Sequence, residues 1–158
     1  MFTLSTELAK HFRQVHDGGN WTSVNLKQTL ADLTWQQATT KIDSLNTIAV
    51  LVFHINYYVG LISKVLQGAP LEGHDKFSFD LPPIQSQEDW EKLLNKFWSE
   101  AEALASLIEQ IPENKWSEIF VAEKYGTYFR NIVGLIEHTH YHLGQIVLIK
   151  KMILQAKH

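Results

Sequence analysis

Wound as a helix, residues 41–67 would be apolar around most of the circumference. Leu45, Ile48, Leu51, Val52, Ile55, Val59, Ile62, Val65 and Leu66 spread over a wide face. A helix of that kind is buried on several sides. The chain has 158 residues, which fits one domain with a single core. The cover must therefore come from other segments of the same domain. Gly68-Ala69-Pro70 stops the helix, because proline cannot continue it.

Three further segments carry helical spacing. Residues 3–16 place Leu4, Leu8, Phe12 and Val15 three or four apart and end at Asp17-Gly18-Gly19-Asn20. Ser86 is the predicted N-cap of a third helix, with Glu88 and Asp89 in its first turn and Asp89 at the capping-box position. From Trp90 through Leu93, Leu94, Phe97, Trp98, Ala101, Leu104, Ala105, Ile108 and Ile111 it is the cleanest amphipathic pattern, stopped by Pro112. The fourth helix is expected over 127–155, with Lys150, Lys151 and Lys157 suiting its negative end. Residues 21–40 read as a connection with short helical pieces packed on a bundle end. Residues 71–85 read as a crossover loop, in which Phe77 and Phe79 suggest a short extended piece. Residues 113–125 read as a loop tucked under the other end.

No segment reads as a sheet. The expectation is an all-α fold, a four-helix bundle with long connections, forming one domain over residues 1–158 and not bound to a simple up-down order.

Composition narrows the function classes. The formal net charge is −3 and the charges are scattered, which argues against a nucleic-acid or anionic-membrane surface. Without cysteine, a transition-metal site has to use His, Asp or Glu. The first residues lack the basic and apolar regions of a signal peptide. His54, Asn56 and Lys64 interrupt the apolar run 48–66, so no bilayer span is expected. A cytoplasmic protein is the expectation.

The run Glu137-His138-Thr139-His140-Tyr141-His142-Leu143-Gly144-Gln145 lies within the fourth helix. His138 and His142 are one turn apart and project from nearly one face, so both imidazoles can reach one ion. His140 points to the far side. The best third ligand is His54, mid-helix in the apolar run. Taken singly, a core histidine is more often a hydrogen-bonded structural residue. Three buried imidazoles without an ion would each need a donor and an acceptor inside an apolar core, whereas one divalent ion satisfies three acceptor nitrogens at once.

Two other metal motifs fail. A zincin needs Glu directly after the first histidine, and Thr139 stands there. A di-iron bundle needs two Glu-x-x-His pairs, and Glu137 with His140 gives one.

The pieces Val52-Phe53-His54-Ile55-Asn56-Tyr57-Tyr58 and Glu137-His138-Thr139-His140-Tyr141-His142-Leu143-Gly144-Gln145-Ile146 resemble the DinB-like superfamily over nearly the full chain. Its relatives include YfiT-type metal-dependent hydrolases and thiol-dependent S-transferases. The resemblance implies metal ligation by His54, His138 and His142, a bound divalent ion such as zinc or nickel, and often a homodimer. The substrate class it implies is a small molecule, in the transferases together with a low-molecular-weight thiol.

Three neutral imidazoles leave zinc at least one open position. Water bound there has a pKa near ~7, and a thiolate could take the same place. Tyr58, Asn131 and Gln145 fall on the histidine faces and could orient a ligand or substrate. Each also has a plainer reading, as a core aromatic or a solvated side chain. Glu137 projects about 100° away from His138. Gly144 is expected to permit a close helix approach. His11, His16, His74 and His158 read as surface or loop residues. The alternative to an enzyme is a non-catalytic bundle for binding or dimerisation, its metal structural or absent. The stripe on the third helix and the broad face of the second would then serve as the interface.

Overall fold

The structure, a computed structural model, describes residues 2–156. Lys157, expected at the end of the last helix, and His158, expected at the surface, lie outside the described residues. The fold is all-helical: α1 Leu4–Asp17, α2 Leu26–Leu30, α3 Trp35–Ala38, α4 Ile48–Leu66, α5 Gln87–Glu109 and α6 Tyr128–Gln155. Short 3-10 turns cover Asp75–Phe79, Glu113–Ser117 and Glu123–Tyr125. The described residues contain no strand, only an isolated antiparallel bridge between Ile119 and Thr127.

Each of the six helices starts at a side-chain cap. Thr3, Asn25, Thr34, Thr47, Ser86 and Thr127 all accept a backbone N–H from the first turn, satisfying a donor the helix leaves free. Asp89 departs from the expected capping box, because its carboxylate accepts the N–H of Gln85 rather than that of Ser86. The second long helix starts at Ile48, not at 41. Thr47 adopts extended backbone and caps Val50, while Asp43 before it sits at φ 45°. Leu45, expected on the buried face, is therefore in the preceding turn and 40% exposed.

Two apolar clusters fill the interior. One joins Ile48, Val52 and Ile55 of α4 with Trp90 and Phe97 of α5, Leu143 to Ile153 of α6, and α2 and α3. The other joins Val59 of α4 with Leu104 and Ile108 of α5, Ile132 and Leu135 of α6, and Leu8 and Phe12 of α1. Their membership gives the helix directions. α4 and α5 both run from the first cluster to the second, whereas α1 and α6 run the opposite way. Two helices of one direction in succession need a return path, so the connection 67–86 travels back along the helices and crosses their middle. There it forms the turn Asp75–Phe79, packed on α4, where the sequence suggested an extended piece.

On the faces expected to serve an interface, Ile55 and Val59 of α4 and Phe97 and Leu104 of α5 are fully buried within the chain, whereas Ile62 and Leu66 of α4 and Leu93 of α5 are half-buried. By length and composition α4 is apolar enough to cross a membrane, contrary to the expectation. Its packing against α5 and α6 accounts for that apolarity. In the connection 113–125, Trp116 and Phe120 are buried as expected, but Ile119 and Val121 are exposed. Gly144 is also exposed, and a Cβ built there would meet nothing, so no close helix approach occurs at that point.

Candidate metal centre

His54, His138 and His142 meet at the waist between the two clusters, where α4 and α6 face each other. His54 Nε2 lies 3.0 Å from His138 Nε2, and His142 Nε2 lies 3.1 Å from it. His54 and His142 are buried and His138 is half-buried. Nitrogens at about 2.0–2.1 Å from one zinc, at angles of about 95–110°, stand about 3.0–3.4 Å apart. The two spacings to His138 fit one ion, and the three ligand atoms all lie within 4.8 Å of one another.

The tautomers support that fit. The Ser78 hydroxyl donates to the Asp75 carbonyl at 2.5 Å, so its oxygen accepts from His54 Nδ1–H at 2.8 Å. The Gln145 amide oxygen accepts from His142 Nδ1–H at 2.7 Å. Both Nε2 atoms then carry bare lone pairs, directed at the same nitrogen of His138. A single proton on His138 Nε2 can answer only one of them, and the other contact is lone pair against lone pair. A second proton is disfavoured. Burial, then the neighbouring His142 and His54, hold the His138 imidazole down to about 4. Burial likewise lowers His54, with His142 adding to it, and burial lowers His142. Three neutral imidazoles with lone pairs in excess form a donor set for a cation. His138 Nδ1 is buried and has no partner.

Further side chains close the site. Phe79 stacks on His54 at 4.2 Å between centroids. Tyr58 sets its edge against His54 and His138 at 5.2 and 4.9 Å, and its hydroxyl donates to the Asp75 carboxylate. Burial, and then that carboxylate, push the Tyr58 phenol up to about 12. Tyr57 clasps the turn from the next position on α4: its hydroxyl donates to the His74 carbonyl at 3.1 Å and accepts the His74 N–H at 3.0 Å.

The residues singled out in the sequence divide. Tyr58 and Gln145 touch the histidines. Asn131 lines the cavity beside His138 without touching a histidine, because its amide donates to the Tyr125 and Thr127 carbonyls at 3.1 and 2.8 Å. Glu137 is exposed. Thr139 is buried and its hydroxyl donates to the Leu135 carbonyl, a helix-internal role. His16, expected at the surface, is 2% exposed. Sequence reading missed Asp75, Ser78 and Phe79. The available signal was topological: successive helices of one direction force a crossover past mid-helix, where Ser and Asp in a loop can meet a ring nitrogen.

A cavity of about 330 Å³ reaches His138 from the side of Tyr58 and Leu135. A larger groove of about 490 Å³ lies between α4, α5 and the crossover, lined by Phe53, Tyr57 and Leu93 among others, and by none of the three histidines. Compared with protein-family models, with curated proteins and with solved structures, the chain has no match.

Proposed function

We propose that the chain is a DinB-like four-helix bundle in which His54, His138 and His142 hold one divalent ion, zinc or nickel, for chemistry on a small molecule by hydrolysis or by transfer of a low-molecular-weight thiol. The observation that carries the reading is the convergence of three neutral imidazole nitrogens, two with bare lone pairs, on a common point. A bound ion supplies Lewis acidity toward water or a thiol. The chain's own residues do the rest. Ser78 and Gln145 fix the ring orientation of two ligands. Phe79 and Tyr58 shield the imidazoles from water. Among the described residues no fourth imidazole or carboxylate joins the cluster, which favours an open position over a saturated structural site.

The same reading places the protein in the cytoplasm as a homodimer, with no nucleic-acid or membrane partner. Light scattering in solution checks the homodimer. A non-catalytic binding or dimerisation module is the alternative, and its metal would be saturated or absent.

The test is elemental analysis of protein purified without a histidine tag, then titration of metal-free protein with zinc and with nickel. The expected result is one ion per chain, with a raised Tm, and loss of both in His138→Ala. A wild-type protein that takes up neither ion stoichiometrically would end this reading.

A further inference from the structure

The cavity above His138 has a charge character of its own. It is lined by Tyr58, Ile62, Leu135, Tyr125 and Asn131, and the exposed Lys124 and Arg130 stand at its edge. No acidic side chain lines it. Neither cation has an ion-pair partner among the described residues, although Lys124 lies over the Tyr125 ring at 4.8 Å. The nearest carboxylate on the crossover, Asp75, is engaged by Tyr58. Glu123 and Glu137 are exposed and outside the lining. The first turn of α6, from which Arg130 rises, has no acidic residue. Two unpaired cations at the mouth of a cavity lined in part by Ile62, Leu135 and tyrosine rings attract and orient an anion.

Gly134 makes the room. It stands one turn before His138 on the same face of α6, and a Cβ built there meets nothing within 4 Å. Glycine inside a helix is less favourable than alanine. Nothing in the packing calls for the missing side chain. What it leaves is open space between the rim cations and the imidazole.

We propose that this cavity binds a small organic anion, its carboxylate or phosphate held by Arg130 and Lys124 and its apolar body directed at His138. The assignment rests on the metal-centre reading and names the class of substrate for that centre. Arg130 offers a planar fork suited to either oxyanion.

The experiment is calorimetric titration of zinc-loaded and metal-free protein with 3-phenylpropionate, its neutral amide and phenyl phosphate. The two anions should bind at least tenfold tighter than the amide, and the tighter of them identifies carboxylate or phosphate as the preferred group. Arg130→Gln combined with Lys124→Gln should weaken the anions at least tenfold, leave the amide unchanged and leave zinc affinity intact. Gly134→Met should block all three ligands while zinc still binds. An amide as tight as the acid, or anion binding that survives the double substitution, overturns the proposal. Anion selectivity in a protein that fails to take up zinc would sink the metal centre and keep the anion site. Zinc binding without anion selectivity would do the reverse.

Discussion

Ser78 Oγ accepts the Nδ1–H of His54 at 2.8 Å, across a separation of 24 residues. The bond joins the crossover to α4 and leaves the other ring nitrogen of His54 free to face His138. Ser78 is itself fully buried and fixed by the Asp75 carbonyl. A loop residue thus decides which nitrogen of a helix residue is available as a ligand.

Ser78→Ala should therefore weaken zinc binding by about 10–100-fold, the usual cost of losing an outer partner of a metal-bound histidine. Gln145→Leu should do the same through His142. Asn131→Leu should leave zinc affinity unchanged, because Asn131 bonds to backbone carbonyls at the start of α6 and not to a ligand. Competition against a chromophoric chelator measures all three. Equal affinities across the set would mean that the crossover does not orient His54.

The crossover is also held from Tyr57, whose hydroxyl makes two bonds to the His74 backbone. Tyr57→Phe keeps the ring and removes both. Exposed bonds of this kind contribute about 1 kcal/mol net. Amide exchange over residues 74–80 should then speed up about fivefold, while the global unfolding midpoint barely moves. Hydrogen exchange followed by mass spectrometry separates the two effects. A matching loss of global stability would show that the turn unfolds only with the whole domain.

The long helices were legible because Leu, Ile, Phe and Trp recur at three- and four-residue spacing and because Ser86 stands where the third of them needs a cap. The triad was legible because His138 and His142 share a face and His54 sits alone in an apolar run. The rest depended on direction. Nothing local to Asp75, Ser78 or Phe79 says that they lie over His54. That follows only once α4 and α5 are known to run the same way. His16 misled for a related reason: it precedes the Asp17-Gly18 helix end, where histidines are usually solvated, yet Phe97 of α5 comes to meet it, 5.4 Å between ring centroids. Residues 41–46 misled because Leu45 extends the apolar spacing across a boundary that Thr47 imposes.

That boundary gives a test. Thr47 Oγ1 accepts the Val50 N–H at 3.2 Å. Thr47→Ala should cost about 1 kcal/mol in chemical unfolding, as loss of an N-cap does. Were the helix to begin near 41, Thr47 would be an interior residue, and alanine, the stronger helix former, would be neutral or stabilising there. A stabilised Thr47→Ala protein would contradict the observed start of α4.

His16 predicts a pH dependence. Its Nδ1–H donates to the Phe12 carbonyl at 2.8 Å, its Nε2 is buried without a partner, and its ring packs against Phe12 and Phe97. The groups facing it are Asp17 and Arg13 on its own helix, Glu102 on α5 and His140 on α6. Arg13 is spoken for by Glu102 and Glu109. Burial lowers the folded-state pKa of His16 below its ordinary value and outweighs the opposing effects of the Phe12 carbonyl and Asp17. The unfolded chain therefore takes up a proton at a pH where the folded chain does not. Stability is fully retained above about 6.5 and declines as the pH falls from there toward the lowered pKa. One such group contributes a slope of at most about 1.4 kcal/mol per pH unit. His16→Leu removes the group and keeps an apolar side chain between Phe12 and Phe97. Urea unfolding at pH 7.5, 6.5, 5.5 and 5.0 should show a shallower decline for the variant than for the wild type. Parallel curves over that range would mean that His16 takes up its proton at the same pH in the folded and the unfolded chain, with the Phe12 carbonyl and Asp17 cancelling the effect of burial.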